Sequence, residues 1–140
     1  MNTTPRSTTP RTEALPWHLI LGLGTLALVR PLFSIVGLTD RLGQPATSLT
    51  LTALITLVWV LVVGLSRVTR PVATLVATGL VYATFAVLLS GILSPLLDGQ
   101  LHGPLTNPLA LVAVYVTNGV WGLIAGVLAV VVRSARADRG

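Results

Sequence analysis

The residue best suited to chemistry is Arg30, a permanent cation inside the apolar run of residues 14–38 and directly before Pro31. At about 1.5 Å of helix per residue, Arg30 lies about 12 Å below the outer end of that run. A charge at such a depth is costly, so something must offset it. Pro31 has no backbone N–H and therefore frees a carbonyl group in the preceding helical turn.

Hydroxyl groups and one amide on the other apolar runs fall at a similar depth. Ser48, Thr52 and Thr56 repeat every four residues and share one helix face. With Arg30 as its centre, the candidate ligand-binding site consists of Arg30, Thr52, Thr56, Ser90, Tyr115 and Asn118.

Two interpretations of Arg30 stay open. In the structural one, its guanidinium bonds freed carbonyls, Asn118 and hydroxyls, or reaches outward to lipid phosphates or Asp40. In the functional one, it binds a carboxylate, a phosphate or a lipid head group that enters from outside, a task that suits the arginine fork. No Asp or Glu lies inside the predicted spans. This absence favours an anion and disfavours a carrier that uses a membrane carboxylate.

Other catalytic and metal-binding chemistry has little support. The chain has no cysteine. His18 and His102 fall on opposite sides of the predicted membrane and cannot share a metal. Ser90 has no histidine within the spans to serve as its base. We therefore predict no catalytic residues, no metal and no cofactor, and a protein that is not an enzyme.

The elements that must hold Arg30 are four long apolar runs. The chain of 140 residues is 53% hydrophobic and 9% charged, whereas a soluble domain is usually about 25% charged. Runs of about 20 residues are long enough to cross a bilayer as helices. We predict an all-α bundle of four transmembrane helices over residues 14–38, 47–66, 71–94 and 108–132, with a disordered tail over 1–13 and a short basic tail over 134–140.

Arginine placement predicts the orientation. With four crossings, Arg41 falls on one side and all the other arginines outside the spans fall on the opposite side, namely Arg6, Arg11, Arg67, Arg70, Arg133, Arg136 and Arg139. The positive-inside rule then places both termini in the cytoplasm. Abundant Ala, Leu, Val, Gly and Arg without lysine indicates a GC-rich bacterial genome, so we expect a multi-pass protein of the bacterial inner membrane.

Small residues predict helix packing in the third and fourth spans. Gly122 and Gly126 form a GxxxG motif, which permits close backbone approach. The predicted packing residues are Gly79, Ala83, Ala86, Gly119, Gly122 and Gly126. Two alternatives stay open: these helices pack on each other within one chain, or the stripe forms a homodimer seam.

The sequence favours a non-catalytic accessory or assembly subunit that acts through helix packing. The alternative is a small transporter, channel or lipid-binding protein with an anion contact at Arg30. The expected partners are the lipid bilayer and a homodimer or larger membrane complex. The arginines are scattered at segment ends without a basic helix face, so despite the net charge of +5 we expect no nucleic-acid partner.

Overall fold

A computed structural model of the chain describes residues 14–140, and the predicted tail over residues 1–13 lies outside the described residues. The described part consists of α-helices and one short 3-10 turn, Pro104–Thr106, without a β-strand. In chain order the helices are α1 Trp17–Ala27, α2 Val29–Ile35, α3 Leu38–Leu42, α4 Ala46–Leu65, α5 Pro71–Asp98 and α6 Pro108–Ala137.

Four helical segments of the described chain are long and apolar enough to cross a membrane. They are Trp17–Ile35, Ala46–Leu65, Pro71–Asp98 and Pro108–Ala137, with 19, 20, 28 and 30 residues. At most 33% of the apolar window of each segment is buried within the protein. The remaining apolar side chains face outward, which suits a lipid solvent. The prediction of an all-α chain with four candidate membrane-spanning helices is confirmed.

Two helices extend beyond their predicted ends. α5 continues past residue 94 to Asp98, with Pro95 inside the helix. It ends where Gly99 adopts a left-handed φ of 67° and its N–H donates to the Pro95 carbonyl at 3.1 Å. Glycine is the residue that accepts this φ without steric cost. α6 continues past residue 132 to Ala137 and so includes part of the predicted basic tail.

The first span is interrupted at Leu28, between α1 and α2. Pro31 explains the interruption, because it has no N–H to donate to the Ala27 carbonyl and its ring crowds that carbonyl. Leu28 N–H instead bonds the Thr25 carbonyl at 3.0 Å, which tightens the last turn of α1. The break comes just before Arg30, so the arginine lies in the first turn of α2.

The most extensive helix contact joins α5 to α6. Gly79 and Gly122 are buried where the two backbones meet, and a Cβ added at Gly122 would lie 2.9 Å from Val76 Cα. A Cβ at Gly126 would lie 2.7 Å from Val72 Cα. Gly122 and Gly126 are thus placed against α5 of the same chain.

The other predicted packing residues contribute unequally. Ala83 is fully buried. A Cβ at Gly119 would make only an ordinary 3.5 Å contact with Leu80 Cδ2. Ala86 is half-buried and lines a cavity.

A compact hydrophobic core lies toward the ends of the helices away from Asp98. Trp59, Val63 and Leu75 are buried there, and the core also contains Leu23, Ala27, Val60, Ala125 and Ala129. Trp59 Nε1 donates to the Leu23 carbonyl at 3.1 Å, which joins α4 to α1. A buried indole N–H needs such an acceptor.

The close backbone contact between α5 and α6 predicts different effects on stability for two alanine substitutions on α6. Gly122→Ala should lower the free energy of unfolding by about 1–3 kcal/mol, because its methyl group meets the α5 backbone. The control Gly119→Ala should be neutral or slightly stabilising, since there is room for its methyl group. Denaturant titration in detergent micelles, followed by circular dichroism, measures both. Equal stability of the two variants would contradict the close approach.

Candidate ligand-binding site

Arg30 lines three adjoining cavities in the part of the molecule beyond the hydrophobic core. Their volumes are about 530, 220 and 260 Å³. Tyr82 of α5 also lines all three. Arg30 and Tyr82 therefore mark the point where the cavities adjoin.

The largest of these three cavities, here the outer cavity, runs along α5 from Tyr82 to Asp98. α2 and α4 supply Arg30, Ser34 and Ser48, and α5 supplies Ser90 and Ser94. Its wall thus carries one guanidinium and several hydroxyl groups. Leu89, Leu93 and Leu97, one helical turn apart on α5, add an apolar strip to the same cavity.

The second cavity, here the tryptophan cavity, lies between α2, α4 and α6. Thr52, Thr56 and Trp59 of α4 face Trp121 of α6 across it. Trp121 Nε1 donates to Thr56 Oγ1 at 2.9 Å, and Thr56 Oγ1 donates to the Thr52 carbonyl at 2.7 Å. The hydroxyl of Thr56 is therefore already engaged in holding α6 to α4.

The third cavity lies under the 3-10 turn and is lined by Ser90, Pro104 and Asn118. Asn118 Nδ2 donates to the Val114 carbonyl of its own helix at 2.8 Å. This bond uses one of the two Nδ2 hydrogens, so the second N–H can still donate and the amide oxygen can accept. Asn118 can therefore bond either a donor or an acceptor group of a ligand.

Arg30 is exposed to these cavities and engages no partner among the described residues. Within residues 14–140 its guanidinium makes no hydrogen bond and no ion pair, and Thr56 and Asn118, which line the same group of cavities, bond other groups. A charge at this position in an apolar segment costs about 3 kcal/mol on insertion scales. Water or a bound anion in the cavities would offset that cost.

Five of the six predicted ligand-binding residues line the cavities: Arg30, Thr52, Thr56, Ser90 and Asn118. Tyr115 does not line them, because its hydroxyl bonds Thr84 Oγ1 of α5 at 2.9 Å. Three residues before Asn118, Tyr115 is rotated by about 60° around α6. It belongs to the packing between α5 and α6.

Sequence reasoning missed Tyr82, Thr117 and Asp98. Tyr82, Ala86 and Ser90 repeat every four residues, a signal that would have placed Tyr82 on the face of Ser90. The predicted third span ends at residue 94 and leaves Asp98 in the following connection, but in the structure Asp98 is the last residue of α5 and lines the outer cavity.

Arg133 provides a contrast to Arg30. Its guanidinium donates to three backbone carbonyls, those of Val68 at 2.6 Å, Ser66 at 3.1 Å and Val63 at 3.2 Å. These carbonyls belong to the end of α4 and the turn that follows it. Arg133 thus joins α6 to α4 as a structural residue.

The two arginines should respond oppositely to replacement by leucine. Arg133→Leu should lower the free energy of unfolding by about 2 kcal/mol, because carbonyls of the turn lose a charged donor. Arg30→Leu should leave stability unchanged or raise it, because no described protein contact is lost. Unfolding in lipid-free detergent micelles measures both variants. A loss at Arg30→Leu as large as that at Arg133→Leu would favour the structural interpretation of Arg30.

The site places the permanent positive charge of Arg30 beside several hydroxyl groups, and this combination of donors suits the binding of an anion. Among residues 14–140 no group of three or more His, Asp or Glu side chains is placed to hold a metal ion. Comparisons with models of known protein families, with curated proteins and with solved structures find no match for this chain.

Proposed function

We propose that this protein is a multi-pass membrane protein that binds an anionic group at Arg30, without catalysis. The anion would be the phosphate or carboxylate of a solute or of a lipid head group. The observation that carries this proposal is the lack of any described partner for Arg30, although the residue lines three adjoining cavities.

The chemistry of the outer cavity supports an anion. A guanidinium presents several N–H donors in a planar fork that matches carboxylate and phosphate oxygens. Ser34, Ser48 and Ser90 add hydroxyl groups that can donate to further oxygens of the ligand. In a medium of low dielectric constant, such charge-assisted bonds are stronger than in water.

The core beneath the site supports binding rather than an open pore. Leu23, Ala27 and Trp59 are buried at the inner side of the Arg30 region, and each is at most 6% exposed. A hydrated anion has no polar path through such packing. This burial supports a blind site, as in a lipid-binding protein or in one closed state of a transporter.

The orientation we propose is that of both termini in the cytoplasm of a bacterial cell. Arg133 and Arg136 donate to carbonyls near the end of α4, so that end of the molecule gathers the basic residues Arg67 and Arg70 as well. The positive-inside rule places this end in the cytoplasm. The outer cavity then opens toward the periplasmic or extracellular side.

An accessory subunit in a homodimer or larger complex is the second candidate. In the sequence, its main support is the set of small residues in the third and fourth predicted spans. Gly79, Gly122 and Gly126 pack within one chain, so a partner would have to bind other, apolar faces. The Arg30 cavities give the ligand-binding function the better support.

The orientation is tested by single cysteines, since the natural chain has none. Thr69→Cys should react with a membrane-impermeant maleimide only after the cells are permeabilised. Gln100→Cys should react in intact cells once the reagent has passed any outer membrane. Both residues are exposed, so access to the side chain does not limit the reaction. The reverse pattern would overturn the orientation.

Anion binding is tested by native mass spectrometry of the full chain in a non-ionic detergent, with dioleoyl phosphatidylglycerol and glycerol phosphate as separate probes. Arg30→Leu should weaken binding by about tenfold or more, because a charge-assisted bond to the phosphate is lost. Arg41→Leu is the matched control, since this exposed arginine does not line the outer cavity.

Equal binding by the wild type and Arg30→Leu would overturn the proposed site. If an unrelated protein chain co-purifies in fixed stoichiometry and neither probe binds, the accessory-subunit function is favoured instead.

A further inference from the structure

The outer cavity carries charges of opposite sign. Arg30 lines it on α2, and Asp98 lines it at the end of α5. Within residues 14–140 Asp98 makes no ion pair and no side-chain hydrogen bond, unlike Asp40, whose Oδ1 accepts from Gln44 Nε2 at 2.9 Å. The cavity thus contains an unpaired cation and an unpaired carboxylate together.

The two charges lie at different heights. A Cβ added at Gly24 would meet Val81 and the backbone N of Tyr82, so α1 and α5 are level there. Counting the same number of residues outward from this level along the first span and along α5 places Arg30 level with Leu88. Asp98 is then about 15 Å further outward along α5. An arginine side chain is long and flexible, and an extension toward the outside would shorten this gap. Along the outer cavity Arg30 therefore lies between the levels of Tyr82 and Asp98, and Asp98 lies at the end away from Tyr82.

Helix energetics do not explain a carboxylate at this position. Asp98 is the last residue of α5, where the negative end of the helix dipole disfavours another negative charge. Its side chain is exposed, so the penalty is small but not offset by a described basic residue. A cationic group of a ligand would offset it.

The wall between the charges favours phosphate over carboxylate. Ser34, Ser48 and Ser90 line the outer cavity and their hydroxyl groups have no described hydrogen bond, whereas Ser94 Oγ donates to the His102 carbonyl at 3.3 Å. A phosphate ester has more acceptor oxygens than a carboxylate and can use Arg30 together with hydroxyl donors. A second anionic or uncharged end on the ligand would gain nothing from Asp98.

We propose that the ligand is dipolar: a phosphate ester that carries a primary ammonium group, with the phosphate at Arg30 and the ammonium group at Asp98. This inference rests on the proposed function and names its ligand class. Two sources have this chemistry, an ethanolamine phospholipid head group and a free aminoalkyl phosphate ester. Asp98 would select against purely anionic esters by repulsion.

The test measures competition between head groups for the full chain in dodecyl maltoside by native mass spectrometry. The lipid probes are phosphatidylethanolamine and phosphatidylglycerol with identical acyl chains. The soluble probes are glycerophosphoethanolamine and glycerophosphoglycerol. The wild type should prefer the ethanolamine member by about fivefold, the upper range for an exposed charge pair.

Asp98→Asn should abolish this preference without removing binding, whereas Asp40→Asn, another exposed outer carboxylate, should keep it. If the ethanolamine member is preferred among both the lipid and the soluble probes, a free aminoalkyl phosphate ester is sufficient for recognition. A preference among the lipids alone would identify the head group in its bilayer context. Either outcome supports the dipolar ligand.

Equal affinity of the wild type for both head groups, or an unchanged preference in Asp98→Asn, would overturn the dipolar ligand. If binding then still requires Arg30, the proposed anion site stands by itself. If no probe binds, or if Arg30→Leu binds as the wild type does, both proposals fail. Circular dichroism melting of each variant verifies that a loss of binding is not a loss of folding.

Discussion

The constraint that governs this structure is that polar groups in an apolar medium need partners within the protein. Threonine hydroxyls satisfy it locally, since Thr52, Thr74 and Thr78 donate to carbonyls one helical turn earlier. Trp59 satisfies it between helices through the Leu23 carbonyl. No buried side-chain nitrogen or oxygen in residues 14–140 lacks a partner. Arg30 meets this constraint differently, because its side chain is exposed to cavities instead of bonded to the described protein.

The same residue type thus has two roles that depend on position. At the end where the basic residues gather, Arg133 binds carbonyls that the end of α4 and the following turn leave free. In the half of the molecule that contains Asp98, the first span is interrupted before Pro31, and Arg30 follows the interruption. The core around Trp59 and Val63 closes the inner side. The buried core is packed closely, and the region beyond it contains three adjoining cavities with a guanidinium at their junction.

Much of the fold follows from local patterns. Run length and low charge predicted four candidate spans, and the structure confirms them, since hydropathy and helix length do not depend on neighbouring elements. Pro31 predicted a freed carbonyl, and the helix breaks at that point. The end of α5 was harder to predict, because Pro95 resembles a helix terminator while the αL glycine that caps the helix comes later, at Gly99.

The sequence by itself determined that the chain is helical and apolar, that Arg30 is embedded in an apolar run, and that small residues line α5 and α6. Those properties reside in single segments. Only the tertiary structure decided that Tyr115 turns to Thr84, that Tyr82 lines the cavities, and that Asp98 shares the outer cavity with Arg30. The physical reason is that helix rotation and relative height are set by side-chain packing between segments, above all by the close contact of Gly79 and Gly122.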